Sequence, residues 1–170
     1  MSIAAVVLAA GEASRFGTPK QRLLLPEVLE RLEQSPVDDI VVVAGAHTLE
    51  TPARVVTCAG WKRGPGASLS SGLEELGDDV EAALVVLADG PDLAPEAVER
   101  VIASWRAEGG SVVAASYGGE RGHPVLIARE AWGNIPDEGL RDLEVRLVPC
   151  DDLGDPGDVD TPADLPPRLR

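Results

Sequence analysis

Cysteine, lysine and aromatic residues are all scarce in this chain. The two cysteines, Cys58 and Cys150, are far apart and form no C-x-x-C pair, so neither a zinc site nor a disulfide scaffold follows. Each sits beside an apolar run, where a small buried thiol is expected. Three Trp, one Tyr and one Phe are too few for a base-stacking platform along single-stranded nucleic acid. Positive charge is also short: 15 Lys and Arg face 29 Asp and Glu, a formal net charge of −14. That excludes non-specific binding to DNA, RNA or anionic membranes. The apolar stretch near the N-terminus is cut at Gly11-Glu12, too early for a signal-peptide core with its flanks or for a membrane span. A cytoplasmic location is expected. No internal repeat and no Gly/Ser linker divides the 170 residues, which are expected to form a single domain over 1–170.

What is present is enough to fold. Apolar residues make up 44% of the chain, and a domain of this size buries about two-thirds of its unfolded surface. Apolar runs predict strands over 3–8, 40–44, 54–57, 82–88, 111–115, 125–127 and 145–148. Helical spacing predicts helices over 26–34, 68–76 and 95–107, with a short one over 140–143. Strands alternating with helices imply a largely parallel sheet in an α/β fold with helices on both faces. Ligands of such sheets bind beyond the carboxyl ends of the strands. The positions to inspect therefore follow Leu8, Ala44, Thr57, Ala88, Ala115 and Val148.

The loop after the first strand is the richest. Ala9, Ala10 and Gly11 are small enough to let a phosphate approach the backbone N–H groups. Arg15 brings a planar fork and Lys20 a point charge, both suited to phosphate oxygens. Arg15, Lys20 and Arg22 form a local positive cluster in a strongly acidic protein, which a polyanionic ligand would need. The loop is neither a Walker A motif nor a G-x-G-x-x-G fingerprint. On its residues alone, an ordinary strand-to-helix turn with exposed basic side chains accounts for it equally well.

Six motifs taken in order give a resemblance. Leu8-Ala9-Ala10-Gly11-x-x-Ser14-Arg15-Phe16-Gly17-x-x-Lys20 resembles the signature of nucleotidyltransferases related to the molybdenum-cofactor cytidylyltransferase and guanylyltransferase. Gly64-x-x-x-Ser68-Leu69-x-x-Gly72-Leu73, Leu87-Ala88-Asp89-Gly90-Pro91 and Gly122-His123-Pro124-Val125-Leu126 resemble later motifs of that family. So do Asp137-Glu138-Gly139 and Asp158-Val159-Asp160-Thr161-Pro162. The resemblance implies a three-layer, Rossmann-like fold of the nucleotide-diphospho-sugar-transferase type. It implies transfer of NMP from an NTP to a phosphorylated acceptor, with release of pyrophosphate. An acceptor phosphate is already an anion, so no general base is required, and no Ser–His–Asp or Cys–His constellation is present. Catalysis then rests on alignment and charge neutralisation.

The carry-over gives nucleotide contacts to Leu8, Ala9, Ala10, Gly11, Arg15, Lys20, Ser68 and Asp89, with Arg15, Lys20 and Asp89 catalytic. It places Mg2+ on Asp89 and Asp160, because magnesium takes carboxylate and phosphate oxygens. It puts His123 against the acceptor. Each has a plainer reading from its residues alone. Asp89 suits a helix N-cap or turn before Pro91. Asp158 and Asp160 suit capping of a last turn, or a solvated acidic tail. Ser68 and Ser71 suit N-capping, and a lone His is commonly structural. Lys62 and Arg63 would face the acceptor or water. Leu-Ala-Ala-Gly is similar to the cytidylyl type, and the Ala10 methyl would crowd a purine, so CTP and a molybdopterin acceptor are expected, with a molybdoenzyme or chaperone as partner. The segments after Lys20 and between Ala44 and Val55 are shorter than the family pattern, so a helix usual in the second is expected to be missing. Two other readings stay open: a nucleotide-binding regulatory or chaperone-like module without turnover, and NMP transfer to a sugar-phosphate or phospho-acid.

Overall fold

The computed structural model describes residues 2–11 and 20–170, with Lys20 and Gln21 described by their backbone alone. Seven strands make one sheet: β1 (Ser2–Ala9), β2 (Asp39–Ala44), β3 (Arg54–Thr57), β4 (Val80–Leu87), β5 (Val112–Tyr117), β6 (Glu120–Ala128) and β7 (Arg146–Pro149). Their order is β3-β2-β1-β4-β6-β5-β7. β1 pairs in parallel with β2 and β4, β2 with β3, and β5 with β7. β6 alone runs antiparallel, to β4 on one side and β5 on the other. Three helices cover the faces: α1 (Lys20–Glu33), α2 (Pro65–Glu74) and α3 (Pro95–Glu108).

The unbroken apolar runs of β1, β2 and β4 follow from this layering. Leu25, Val28 and Leu32 of α1 and Val98 and Val101 of α3 pack on Ala5, Val7, Val42 and Leu84 on one face. Leu69 and Leu73 of α2 pack on Val6, Val41, Val43 and Val85 on the other. A strand covered on both sides has no solvent face and so no polar alternation. Cys58 and Cys150 are buried free thiols, and the three Trp side chains are half-buried against the two cores. His47 is half-buried.

Three local expectations are corrected, and one strand of the largely parallel sheet reverses. The first helix begins at Lys20 rather than at residue 26, with Pro26 inside it. The burial of Leu24, Leu25, Val28, Leu29 and Leu32 outweighs the one helical hydrogen bond Pro26 cannot donate. The second helix begins at Pro65, since proline's fixed φ suits a first helical position. Residues 140–143 form a turn, not a helix. The antiparallel direction of β6 arises because residues 118–119 connect β5 to β6 as a hairpin, with both glycines at positive φ.

The link from β2 to β3 also departs from the usual form. Parallel neighbours usually need a crossover of a dozen or more residues, yet residues 45–53 span this one without a helix. Leu49, 9% exposed, takes the place of a helix face against the α1-side core.

Candidate active site

β1 and β4 end side by side, and the loops leaving them form the floor of the site. Leu8 lies opposite Leu87 in the parallel ladder, and the Ala88 N–H donates to the Leu8 carbonyl at 3.0 Å. Ala9 and Ala10 are buried, and Gly11 is exposed. The Ala46 N–H reaches the Ala10 carbonyl at 3.4 Å. Small residues are needed beneath this loop: a Cβ on Gly45 would stand 2.7 Å from Trp61 Cβ and 2.9 Å from Ala10 Cβ. Arg15 lies outside the described residues. Lys20 opens α1, and its side chain lies outside them too.

Asp89 stands two residues beyond β4, and its carboxylate meets those of Asp158 and Asp160. One oxygen from each lies within 4.8 Å of the others. The last two come from an extended segment whose Val159 is buried among Leu24 and Leu165. In an extended chain residues 158 and 160 point to the face opposite 159, so burying Val159 turns both aspartates toward β4. The Val159 N–H fixes the approach by donating to the Asp89 carbonyl at 3.1 Å.

Asp89 lies in the turn that follows β4, and none of the three aspartates caps a helix. The N-cap of α3 is Ala94, not Asp89. The turn after Asp160 is capped by the Asp164 carboxylate, which accepts from the Thr161 N–H at 3.0 Å and the Asp160 N–H at 3.2 Å. Three convergent carboxylates are more than enough for a hard divalent ion such as Mg2+ or Mn2+, which usually takes one or two from protein and the rest of its oxygens from phosphate and water. Asp158 was left open in the sequence. The Asp-Val-Asp alternation around a valine was the signal that could have assigned it.

The loop before α2 forms a second wall. Gly64, with φ of +134°, and Gly66 lie against the backbone of residues 136–137, and the Asp137 and Pro136 carbonyls occupy the space a side chain would need. The Gly66 N–H donates to the Asp137 carbonyl at 2.9 Å, and Arg63 pairs with Asp137 at 3.9 Å. Two of the sequence motifs are thus a single packed unit. Lys62 lies over the Trp61 ring, 5.6 Å from its centroid. Ser68 lies inside the helix rather than at its end. It sits one turn inside α2, 3% exposed, and its N–H is committed to the Gly64 carbonyl at 3.5 Å. The Ser71 hydroxyl likewise donates to the Ala67 carbonyl at 3.2 Å. The helix start that the sequence placed at these serines belongs instead to Gly64 and Pro65.

The hairpin supplies the third wall. The Tyr117 ring stacks over Gly122, where a Cβ would stand 2.9 Å from the ring, and its hydroxyl donates to the His123 carbonyl at 2.7 Å. Burial raises the Tyr117 phenol well above its ordinary pKa. His123 separates two cavities. One, about 530 Å³, is walled by Leu8, Pro65, Leu69, Val125 and Leu140, with Arg121 and Arg141 also lining it. The other, about 260 Å³, holds Gly90, Asp155 and Asp158. Burial lowers the His123 pKa, opposed by the charges of Asp89 and Asp155 and reinforced by Arg121. The imidazole is therefore held neutral at pH 7. Leu8, Ala9, Ala10, Asp89, Asp160 and His123 all come to this one end of the sheet. Tyr117 and Arg121 were not found in the sequence, since neither lies within a motif of its own.

Known proteins resemble this chain in sequence and in fold. A probable molybdenum cofactor guanylyltransferase from Chloroflexus aggregans is 34% identical over 129 residues, 69% of this chain and 60% of that protein. The bifunctional protein GlmU of Streptomyces avermitilis is 35% identical over 126 residues, 64% of this chain and 26% of that one. The chain thus matches less than two-thirds of the length of either curated relative. Among solved structures, Rv0371c from Mycobacterium tuberculosis H37Rv is 28% identical with a TM-score of 0.78, covering 96% of both chains. A manganese complex of Rv0371c is 25% identical with a TM-score of 0.69, covering 97% of this chain and 93% of that one. Molybdopterin-guanine dinucleotide biosynthesis protein A from Archaeoglobus fulgidus shares the fold, with a TM-score of 0.66 at 16% identity over 95% and 94% of the two chains. The profile of the MobA-like NTP transferase domain matches residues 5–148, and the chain belongs to that family.

Proposed function

We propose that this protein transfers CMP from CTP to the phosphate of a molybdopterin-type acceptor, releasing pyrophosphate. The observation that carries the reading is the meeting of Asp89, Asp158 and Asp160, their oxygens within 4.8 Å, at the carboxyl end of β4 beside the β1 loop. An acceptor phosphate oxygen attacks the α-phosphorus. The bond from that phosphorus to the bridging oxygen breaks, and pyrophosphate leaves with the electron pair. The attacking oxygen is already ionised, so nothing in the site has to remove a proton, and the neutral His123 serves to bind and orient. Arg15 and Lys20 hold the triphosphate and offset its growing negative charge.

Asp89, Asp158 and Asp160 would hold the Mg2+. Bound there, the ion supplies positive charge to the phosphate oxygens. The manganese complex of the Rv0371c relative supports a divalent ion in this fold. For the nucleotide, the support is Ala10, whose methyl lies where the guanylyl-type loop carries glycine. A pocket methyl discriminates by only about 1–3 kcal/mol, and the guanylyltransferase relative favours the other base. The cavity lined by His123, Arg121 and Arg141 supports a small phosphorylated acceptor, and a molybdoenzyme or its chaperone is the partner that would receive the product.

Pyrophosphate release measured with CTP, GTP, ATP and UTP, each with molybdopterin and Mg2+, tests the reading. CTP should be preferred, and Ala10→Gly should shift the preference toward GTP. A wild-type preference for GTP would remove the cytidylyl assignment. Nucleotide binding without pyrophosphate release, for any NTP and for sugar-phosphate acceptors as well, would favour a regulatory module.

A further inference from the structure

Arg121 and Arg141 both line the larger cavity, but their side chains are differently placed. Both Nη atoms of Arg121 are committed to main-chain carbonyls. Nη1 donates to Arg141 at 2.9 Å and to Leu143 at 3.0 Å, and Nη2 donates to Leu140 at 2.8 Å. The turn so gripped carries no regular secondary structure. Within it, the Leu143 N–H donates to the Leu140 carbonyl at 3.1 Å. The same segment continues from residues 136–139, which pack on Gly64 and Gly66 before α2. Arg121 therefore joins β6 to the turn that faces α2. The Arg141 guanidinium forms no ion pair among the described residues, and Arg141 is an exposed residue at the edge of a cavity whose walls are mostly apolar.

Resting on the transferase reading above, we propose that Arg141 binds the anionic group of the phosphorylated acceptor and that Arg121 is the positioning residue that sets its place. An apolar cavity of about 530 Å³ with a guanidinium at its edge that is not held in an ion pair suits a flat ring carrying a phosphomonoester. A guanidinium can take two phosphate oxygens at once. Arg121 does not serve as that ligand, because its fork is turned to carbonyls. Lysine cannot replace it, since an ammonium lacks the planar fork that spans three acceptors.

Steady-state kinetics with CTP and molybdopterin are the first test. Arg141→Ala should raise the acceptor KM at least about tenfold, the scale of one charge-assisted hydrogen bond, with the CTP KM within about twofold. Arg121→Ala should do the same and Arg121→Lys should not rescue it. The double variant should be no worse than the poorer single variant, because one residue acts through the other. An unchanged acceptor KM in Arg141→Ala overturns the anion role, and multiplicative effects in the double variant overturn the positioning role.

Two measurements do not need turnover. Amide exchange of residues 136–143 in the substrate-free protein should quicken in Arg121→Ala and stay unchanged in Arg141→Ala. Equal exchange in wild type and Arg121→Ala overturns the clamp. Neopterin monophosphate, titrated by calorimetry, should bind wild type and lose at least about tenfold affinity in Arg141→Ala. No loss overturns the anion role. A wild type that binds this probe yet releases no pyrophosphate would sink the transferase reading while leaving the Arg141 assignment standing.

Discussion

The two sides of the cleft are built by different means. On the β1–β4 side, small residues and main-chain groups do the positioning. Ala88 bonds to Leu8, Val159 bonds to Asp89, and Gly45 makes room for Trp61 and Ala10. On the β5–β6 side, long side chains reach across to main chain: Tyr117 to His123, and Arg121 to the turn at 140–143. The first arrangement is inherited from a parallel sheet packed on both faces, where backbone position is fixed by register. The second hangs on a hairpin and a turn, where register ends and individual hydrogen bonds must substitute. The contrast suits the chemistry. A triphosphate offers the same oxygens whatever the base, and main-chain donors and a metal serve it well. An acceptor is idiosyncratic, and side chains can be exchanged without disturbing the sheet.

The largest expected effect separates chemistry from packing. Asp89→Ala and Lys20→Ala should each lower turnover by about 10²-fold or more, the scale of losing one charge that stabilises the transition state. Melting temperature should stay within a few degrees of wild type. Wild-type turnover in both variants would remove the site from the β1–β4 side altogether.

The seam between the two sides is next. Gly66→Ala places a methyl on the Pro136 carbonyl, and backbone on both sides must shift. A loss of about 2–4 kcal/mol in urea unfolding is expected. Gly133→Ala, with nothing within 4 Å of the added atom, should stay within about 0.5 kcal/mol. Equal effects of the two would mean the seam is loose.

On the hairpin side, Tyr117→Phe removes the hydroxyl that holds the His123 carbonyl. It should cost about 1 kcal/mol, the net worth of one hydrogen bond. A larger fall in acceptor affinity than in CTP affinity would show that the hairpin serves the acceptor alone.

The smallest effect is in pH. Burial first of all lowers the His123 pKa below the ordinary 6.5. Unfolding therefore adds a proton in the window just beneath that value. Stability attached to His123 is complete above pH 6.5 and is lost as pH falls through the lower folded value. The slope of unfolding free energy against pH between about 6.5 and 5 should be shallower in His123→Asn than in wild type. An unchanged slope would mean the imidazole is not held neutral by its surroundings.

Much of this was legible in the chain. Residues 3–8, 40–44 and 82–88 read as buried strands because no polar residue interrupts them, and they form β1, β2 and β4. The position of Asp89 just beyond the strongest apolar run was legible, while its metal role comes from the motif. Lys20 and Arg15 remain assignments from the motif, since the described residues do not include their side chains. Ser68 misled, because a serine before an apolar run looks like a cap. Pro65, three residues earlier, is the true start of α2, and Ser68 is turned into the core. Arg121 gave no signal at all, since its partners are carbonyls, which every residue has.

The sequence by itself determined which segments must be covered on both faces and which strand ends carry acid, base and small residues. Those are local properties: burial demands apolar runs, and turns demand glycine or proline. Only the tertiary structure decided that Asp158 and Asp160 meet Asp89, that residues 64–66 lock onto 136–139, and that β6 turns back against its neighbours. Those outcomes depend on hydrogen bonds and close packing between distant segments, and no short window of sequence carries the register that makes them.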